Sequence, residues 1–75
     1  MNKEELKLHD VIVIESTKQP VQYFGEYLDN GVVVQDIHTK RTIMHIGLVR
    51  KATKTEVEWF AKMDEHINPI KPSNL

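Results

Sequence analysis

Four histidines, His9, His38, His45 and His66, are the side chains of this sequence best suited to hold a metal or move a proton. A metal site needs three or four ligands that converge, and a histidine pair one helical turn apart or a cysteine–histidine cluster is the usual sign. Neither pattern occurs. Asp64, Glu65 and His66 crowd one turn without a matching group nearby in sequence, and His38 and His45 fall on different faces of extended chain by parity. Solvated or hydrogen-bonded histidine is therefore the expectation, with no metal and no cofactor. Nucleophilic catalysis has no better footing. Cysteine is missing, and Ser16 and Ser73 lie in a loop and a tail without a glycine elbow. The three glycines are scattered and form no phosphate cradle. The expectation is a chain that is not an enzyme.

Charge is more informative. The net charge is only −1, yet Ile37 through Thr55 contains no acidic residue while Lys40, Arg41, Arg50, Lys51 and Lys54 are all basic. Glu56, Glu58, Asp64 and Glu65 then swing the balance back, opposed by Lys62. Acid at a helix start is favoured by the helix dipole, which accounts for Glu56 and Glu58. The basic stretch reads in two ways. It is a solvated rim, or Lys40, Arg41, Arg50, Lys51 and Lys54 grip phosphates or an acidic protein surface. Tyr23, Phe24 and Tyr27 would then be the aromatics for base stacking.

The elements that must position these groups can be read from residue order. Asn2, with Glu5 three residues later, begins a short helical turn. Val11 to Ile14 is a β-branched run, hence a strand buried on nearly both faces. Ser16 to Pro20 reads as a loop, and a second strand follows from Val21 to Leu28. Asp29-Asn30-Gly31 signals a hairpin into a third strand from Val32 to about Ile37. After the polar break His38 to Arg41, an extended pattern resumes over Thr42 to Val49. Thr53 and Glu56 make a capping box, and the helix they start stops at Asn68-Pro69. Pro69 to Pro72 also matches a minimal PxxP pattern, though proline there is expected simply as a helix stop.

If the Asn-Gly turn pairs Leu28 with Val33 and Tyr27 with Val34, one sheet face carries Tyr23, Tyr27, Val32, Val34, Met44, Ile46 and Leu48. The other carries Phe24, Leu28, Val33, Ile37, Ile43 and Val49. A lone antiparallel sheet normally has one polar face, so this one must be covered twice. On the helix, Val57, Trp59, Phe60, Ala61, Met63 and Ile67 spread over an arc wider than one seam requires. Either the helix sits deep on the sheet, or Val57, Phe60 and Ala61 face it while Trp59 and Met63 meet another chain.

Seventy-five residues without cysteine make one small domain, with 1–68 as the folded unit and 69–75 as a flexible tail. A domain near 60 residues buries only about 60% of its unfolded surface, so help from a partner is expected. No apolar run reaches signal-peptide or membrane-spanning length, and a cytoplasmic location with no membrane contact is the expectation.

Leu6-Lys7-Leu8-His9-Asp10-Val11-Ile12-Val13 resembles the opening of Src-homology-3-like (SH3-like) barrels, with His9 where a glycine is usual. Phe24-Gly25-Glu26-Tyr27-Leu28, a turn and Val32-Val33-Val34 resemble a strand pair of Sm-like barrels. The resemblance implies a mainly β fold with one C-terminal helix, a small antiparallel barrel of four to five strands, and carries no ligand residue across. Arg50 to Phe60 is similar in style to small phage and prophage proteins, which implies an inhibitor or regulator of a host factor. The expected function is a non-enzymatic protein-binding module that acts as a homo-oligomer, contacting partners through Trp59, Met63, Phe60, Ile43 and Val49. The alternative is a small nucleic-acid- or nucleotide-binding barrel that uses the basic 40–54 stretch.

Overall fold

The computed structural model describes residues 2–68. The expected tail and its PxxP pattern lie outside the described residues. The architecture is mainly β with one C-terminal helix: β1 (Val11–Ile14), β2 (Gln19–Tyr27), β3 (Gly31–Gln35), β4 (Arg41–His45), β5 (Val49–Lys51) and α1 (Lys54–Ile67). The strands form one open antiparallel sheet in the order β4-β3-β2-β1-β5. A 3-10 turn at Lys3–Glu5, capped by the Asn2 side chain, precedes it.

Two details overturn the expected register. First, the β2–β3 connection holds three residues, Leu28, Asp29 and Asn30, so Tyr27 pairs with Gly31 and Glu26 with Val32. Leu28, not Asn30, takes the left-handed backbone, at φ 57°. Gly31 is obligatory for contact reasons, because a Cβ there would land on the Tyr27 carbonyl. Second, the register shifts between Tyr23, opposite Val34, and Glu26, opposite Val32. Phe24 and Gly25 therefore oppose the single residue Val33, a bulge made possible by Gly25 at φ 119°. The bulge moves Tyr27 off the Tyr23 face.

A third correction concerns the last extended stretch. Thr42 to Val49 is not one strand: Ile46–Leu48 forms a 3-10 turn whose first free N–H groups are capped by His45, with Gly47 N–H donating to His45 Nδ1 at 2.9 Å. The turn carries the chain from one sheet edge to the other and resets side-chain parity. Val49, expected on the second face, is consequently buried in the core, whereas Leu48 is half-exposed.

The core lies on the inner face of the sheet, where Ile12, Val21, Tyr23, Val32, Val34, Ile46 and Val49 pack with Leu6, Ile14 and Met44 at its margin. Burying each valine or isoleucine side chain contributes about 1.5–3 kcal/mol. Burial, followed by the Glu26 charge, pushes the Tyr23 phenol above its ordinary pKa. The outer face is covered only in part. Val13, fully buried, pairs with Pro20 and Arg50 and so shares their face, and α1 packs against β1 and β2.

Candidate functional site

Helix α1 starts where the sequence says it should. The Thr53 hydroxyl accepts from Glu56 N–H at 3.2 Å, and the Glu56 carboxylate accepts from Thr53 N–H at 2.8 Å. The same carboxylate takes both Nη groups of Arg50, each at 2.9 Å, and so ties the first turn to β5. The Arg50 hydrogen bonds, then the Thr53 backbone N–H, hold the Glu56 carboxyl at about 2, well below its usual 4.5, and the pairing raises the Arg50 pKa further. At the other end Asn68 Nδ2 donates to the Ile37 carbonyl at 2.9 Å, fastening the helix to the β3–β4 connection.

These anchors fix which stripe faces the sheet. Phe60 is buried, and Glu56, Met63, Asp64 and Ile67 are half-buried beside it, an i, i+4, i+7, i+8, i+11 stripe. The outward crest is charged, with Lys54, Glu58, Lys62 and Glu65 all exposed. Val57 and Trp59 occupy the two flanks, 42% and 46% exposed, and Ala61 is exposed. Neither expected arrangement holds in full: Phe60 is buried as expected and Met63 is half-buried beside it, whereas Ala61 is exposed and Val57 sits at the margin of the sheet contact.

Each flank borders a groove. On the Trp59 side, Lys18, Gln19, Pro20, Thr55 and Glu56 join the indole around a space of about 430 Å³. Its apolar walls are the indole and Pro20, which the β1–β2 turn presents with Lys18 in left-handed backbone at φ 59°. On the Val57 side, Leu6, His9, Val11, Lys51 and Ala52 help to enclose about 330 Å³.

Beyond the helix, the outer sheet face carries an arginine–aromatic cluster. Arg41 lies over the Phe24 ring with Cζ 4.6 Å from its centroid, and Arg41 Nε donates to Gln35 Oε1 at 2.9 Å. His9 meets the same ring edge-on, centroids 4.9 Å apart. Ile43 sits on this face, 54% exposed, on β4, an edge strand that pairs only with β3 among the described residues.

The five basic residues do not converge. Arg41 is on β4 while Arg50 and Lys51 are on β5, the opposite sheet edge, and Arg50 is spent on Glu56. Lys51 pairs with Ile12 and Arg50 with Val13, so the two lie on different faces. Of the expected protein contacts, Trp59 and Ile43 present apolar surface, Met63 presents part of its own, and Phe60 and Val49 are buried within the chain. All four histidines are exposed, and no three His, Asp or Glu side chains come together among the described residues. Sequence reasoning missed two features. Pro20 pairs with Val13 inside a strand and forms a groove wall, where the sequence predicts a loop. Leu28 combines left-handed backbone with 79% exposure, and no sequence signal marks a leucine for that position.

Comparison with protein-family models, with curated proteins and with solved structures finds no match to this chain.

Proposed function

We propose that this chain is a non-enzymatic protein-binding module whose principal contact is the Trp59 flank of α1 and the adjoining groove. The observation that supports the reading is a half-exposed tryptophan beside a groove with apolar walls, on a helix held in place at both ends. Tryptophan is enriched among interface hot spots, and a rigid support lowers the ordering cost of burying its large apolar area. Leu28 points the same way. Its backbone conformation costs about 1 kcal/mol or more, and an apolar side chain left mostly in water returns none of it. Leu28 follows the end of β2 opposite to Pro20 and would be a separate point of contact.

Self-association through the same flank belongs to this proposal, as does the role of inhibitor or regulator of a host factor in the cytoplasm. No helix among the described residues is long and apolar enough to cross a membrane. The proposal extends to the fold. The five strands correspond to an SH3-like or Sm-like barrel left open between β4 and β5, so that β4 remains available. Sedimentation velocity at micromolar concentration tests the oligomer: the chain should sediment above the monomer mass, and Trp59→Ala should return it to monomer. A wild-type chain that sediments as a monomer at those concentrations would remove self-association from the reading.

A further inference from the structure

We propose that the β4 edge accepts an extended, acidic segment of a partner protein as a sixth antiparallel strand, with a carboxylate of that segment on Arg41. This rests on the protein-binding reading and names a second contact and the chemistry of its occupant.

Native sheets usually blunt their edges with lysine, proline, a bulge or a very short strand. Edge β5 has only three residues and runs directly into the capped helix. Edge β4 has five, Arg41 to His45, with no proline and no register shift against β3, and its positive charge, Arg41 and the preceding Lys40, is confined to one end. Along β4, Arg41, Ile43 and His45 share the outer face, and Thr42 and Met44 the inner one. An added strand meets these groups in order.

Arg41 is prepared for an anion. Phe24 supports its guanidinium from one side and Gln35 takes its Nε, while neither Nη has a protein acceptor among the described residues. A planar fork held in this way matches a carboxylate through two parallel N–H···O bonds. Two positions along, Ile43 offers exposed apolar surface on the same face. On the inner side, a recess of about 120 Å³ is walled by the apolar Ile14, Val21, Val34 and Met44 together with Thr42 and the polar Gln19, Asp36 and Lys40, which leaves room for one small side chain. An antiparallel strand therefore presents, from its N-terminal side, an apolar residue against Ile43, a small apolar residue toward the recess opposite Thr42, and an acid against Arg41.

The occupant is not a second β4. Antiparallel self-pairing centred on Ile43 sets Arg41 against His45 and supplies no acid. A nucleic-acid strand fits the site less well: Lys40 stands beside Arg41, but no further cation follows along β4, since Arg50 and Lys51 are on the other edge and Arg50 is paired with Glu56.

The test uses the whole chain and a short synthetic peptide containing Val-Val-Glu, flanked by threonines, with affinity read by fluorescence anisotropy and location by backbone amide shifts. Binding should perturb β4, and changing the peptide glutamate to glutamine should weaken it about ten- to a hundredfold. Arg41→Gln should weaken it similarly, and the two changes together should cost little more than either alone. Ile43→Lys should abolish binding with the fold intact, while Trp59→Ala should leave it unchanged. Binding indifferent to both charges, shifts that map away from β4, or Arg41-dependent binding of single-stranded oligonucleotide but not of peptide would overturn the inference. Loss of this inference alone leaves intact the contact of a photo-reactive group placed at position 59 with another protein, read by cross-linking; loss of the protein-binding reading removes that contact as well.

Discussion

Phe60→Ala is the most informative single perturbation of the fold. Phe60 is 5% exposed and is the buried residue of α1, lying on the side of the helix that packs against β1 and β2, where Val13 is fully buried. Truncating a buried phenylalanine to alanine costs about 3–5 kcal/mol, through lost transfer energy and the cavity left behind. A domain of this length has a total stability of about 4–11 kcal/mol. The substitution therefore removes about a quarter of the stability at the least and can exhaust it. At about 4–8 °C per kcal/mol for a domain of this size, the melting temperature should fall by about 12 °C or more. Val57→Ala and Trp59→Ala, at half-exposed flanks, should each cost less, about 1–2 kcal/mol. Thermal melts followed by far-ultraviolet circular dichroism, with near-ultraviolet spectra as a packing control, measure all three variants. If Phe60→Ala costs no more than Trp59→Ala, the helix does not rest on the sheet through Phe60 and the assignment of its buried stripe is wrong.

Three further outcomes follow from particular contacts. Leu28→Gly relieves a left-handed backbone at φ 57° while giving up a side chain 79% exposed, so it should raise stability by about 0.5–1 kcal/mol in a chemical denaturation series; a loss of stability would show that the leucine packs in solution. Gly31→Ala sets a methyl group on the Tyr27 carbonyl and should destabilise the β2–β3 hairpin, seen as lost amide protection in both strands. Because Glu56 has a folded-state pKa of about 2 against an ordinary 4.5, its contribution is fully present above pH 4.5 and disappears as pH falls toward 2. The advantage of wild type over Glu56→Gln in melting temperature should follow that course, and an advantage unchanged down to pH 2 would contradict the pairing with Arg50.

Much of this fold was legible because the signals were local. The β-branched run at Val11 to Ile14 and the Thr53–Glu56 capping box each specify an element from a few adjacent residues, and both elements lie where the sequence places them. The failures came where one residue changes the phase of all that follow. The Phe24–Gly25 bulge inserts one position into β2 and sends Tyr27 to the opposite face, and the His45-capped turn does the same for Val49. Period-two reasoning carries an error forward until another break resets it. Gly25 and Gly47 stand at these two breaks, yet a glycine in an extended pattern does not say whether it marks a bulge, a turn or neither.

The candidate surfaces were legible as residue types and not as places. Trp59 and Ile43 could be selected as apolar residues in excess of what one helix covers, and both are exposed on the folded chain. For the basic stretch, sequence proximity is not spatial proximity: the 3-10 turn carries Arg50 and Lys51 to the edge opposite Arg41, where Glu56 takes Arg50. Arg41 and Phe24 are far apart in sequence, and only the pairing of β4 to β3 and of β3 to β2 brings the guanidinium over the ring.

The claim that this chain works by covering another protein is tested most directly by placing a photo-reactive amino acid at position 59 and irradiating living cells that express the full chain. One dominant protein adduct, either a second copy or a single partner, should form from position 59 and be absent when the same group replaces Glu58 or Lys62 on the charged crest. Adducts equal in yield and identity from all three positions, or none from position 59, would contradict the account.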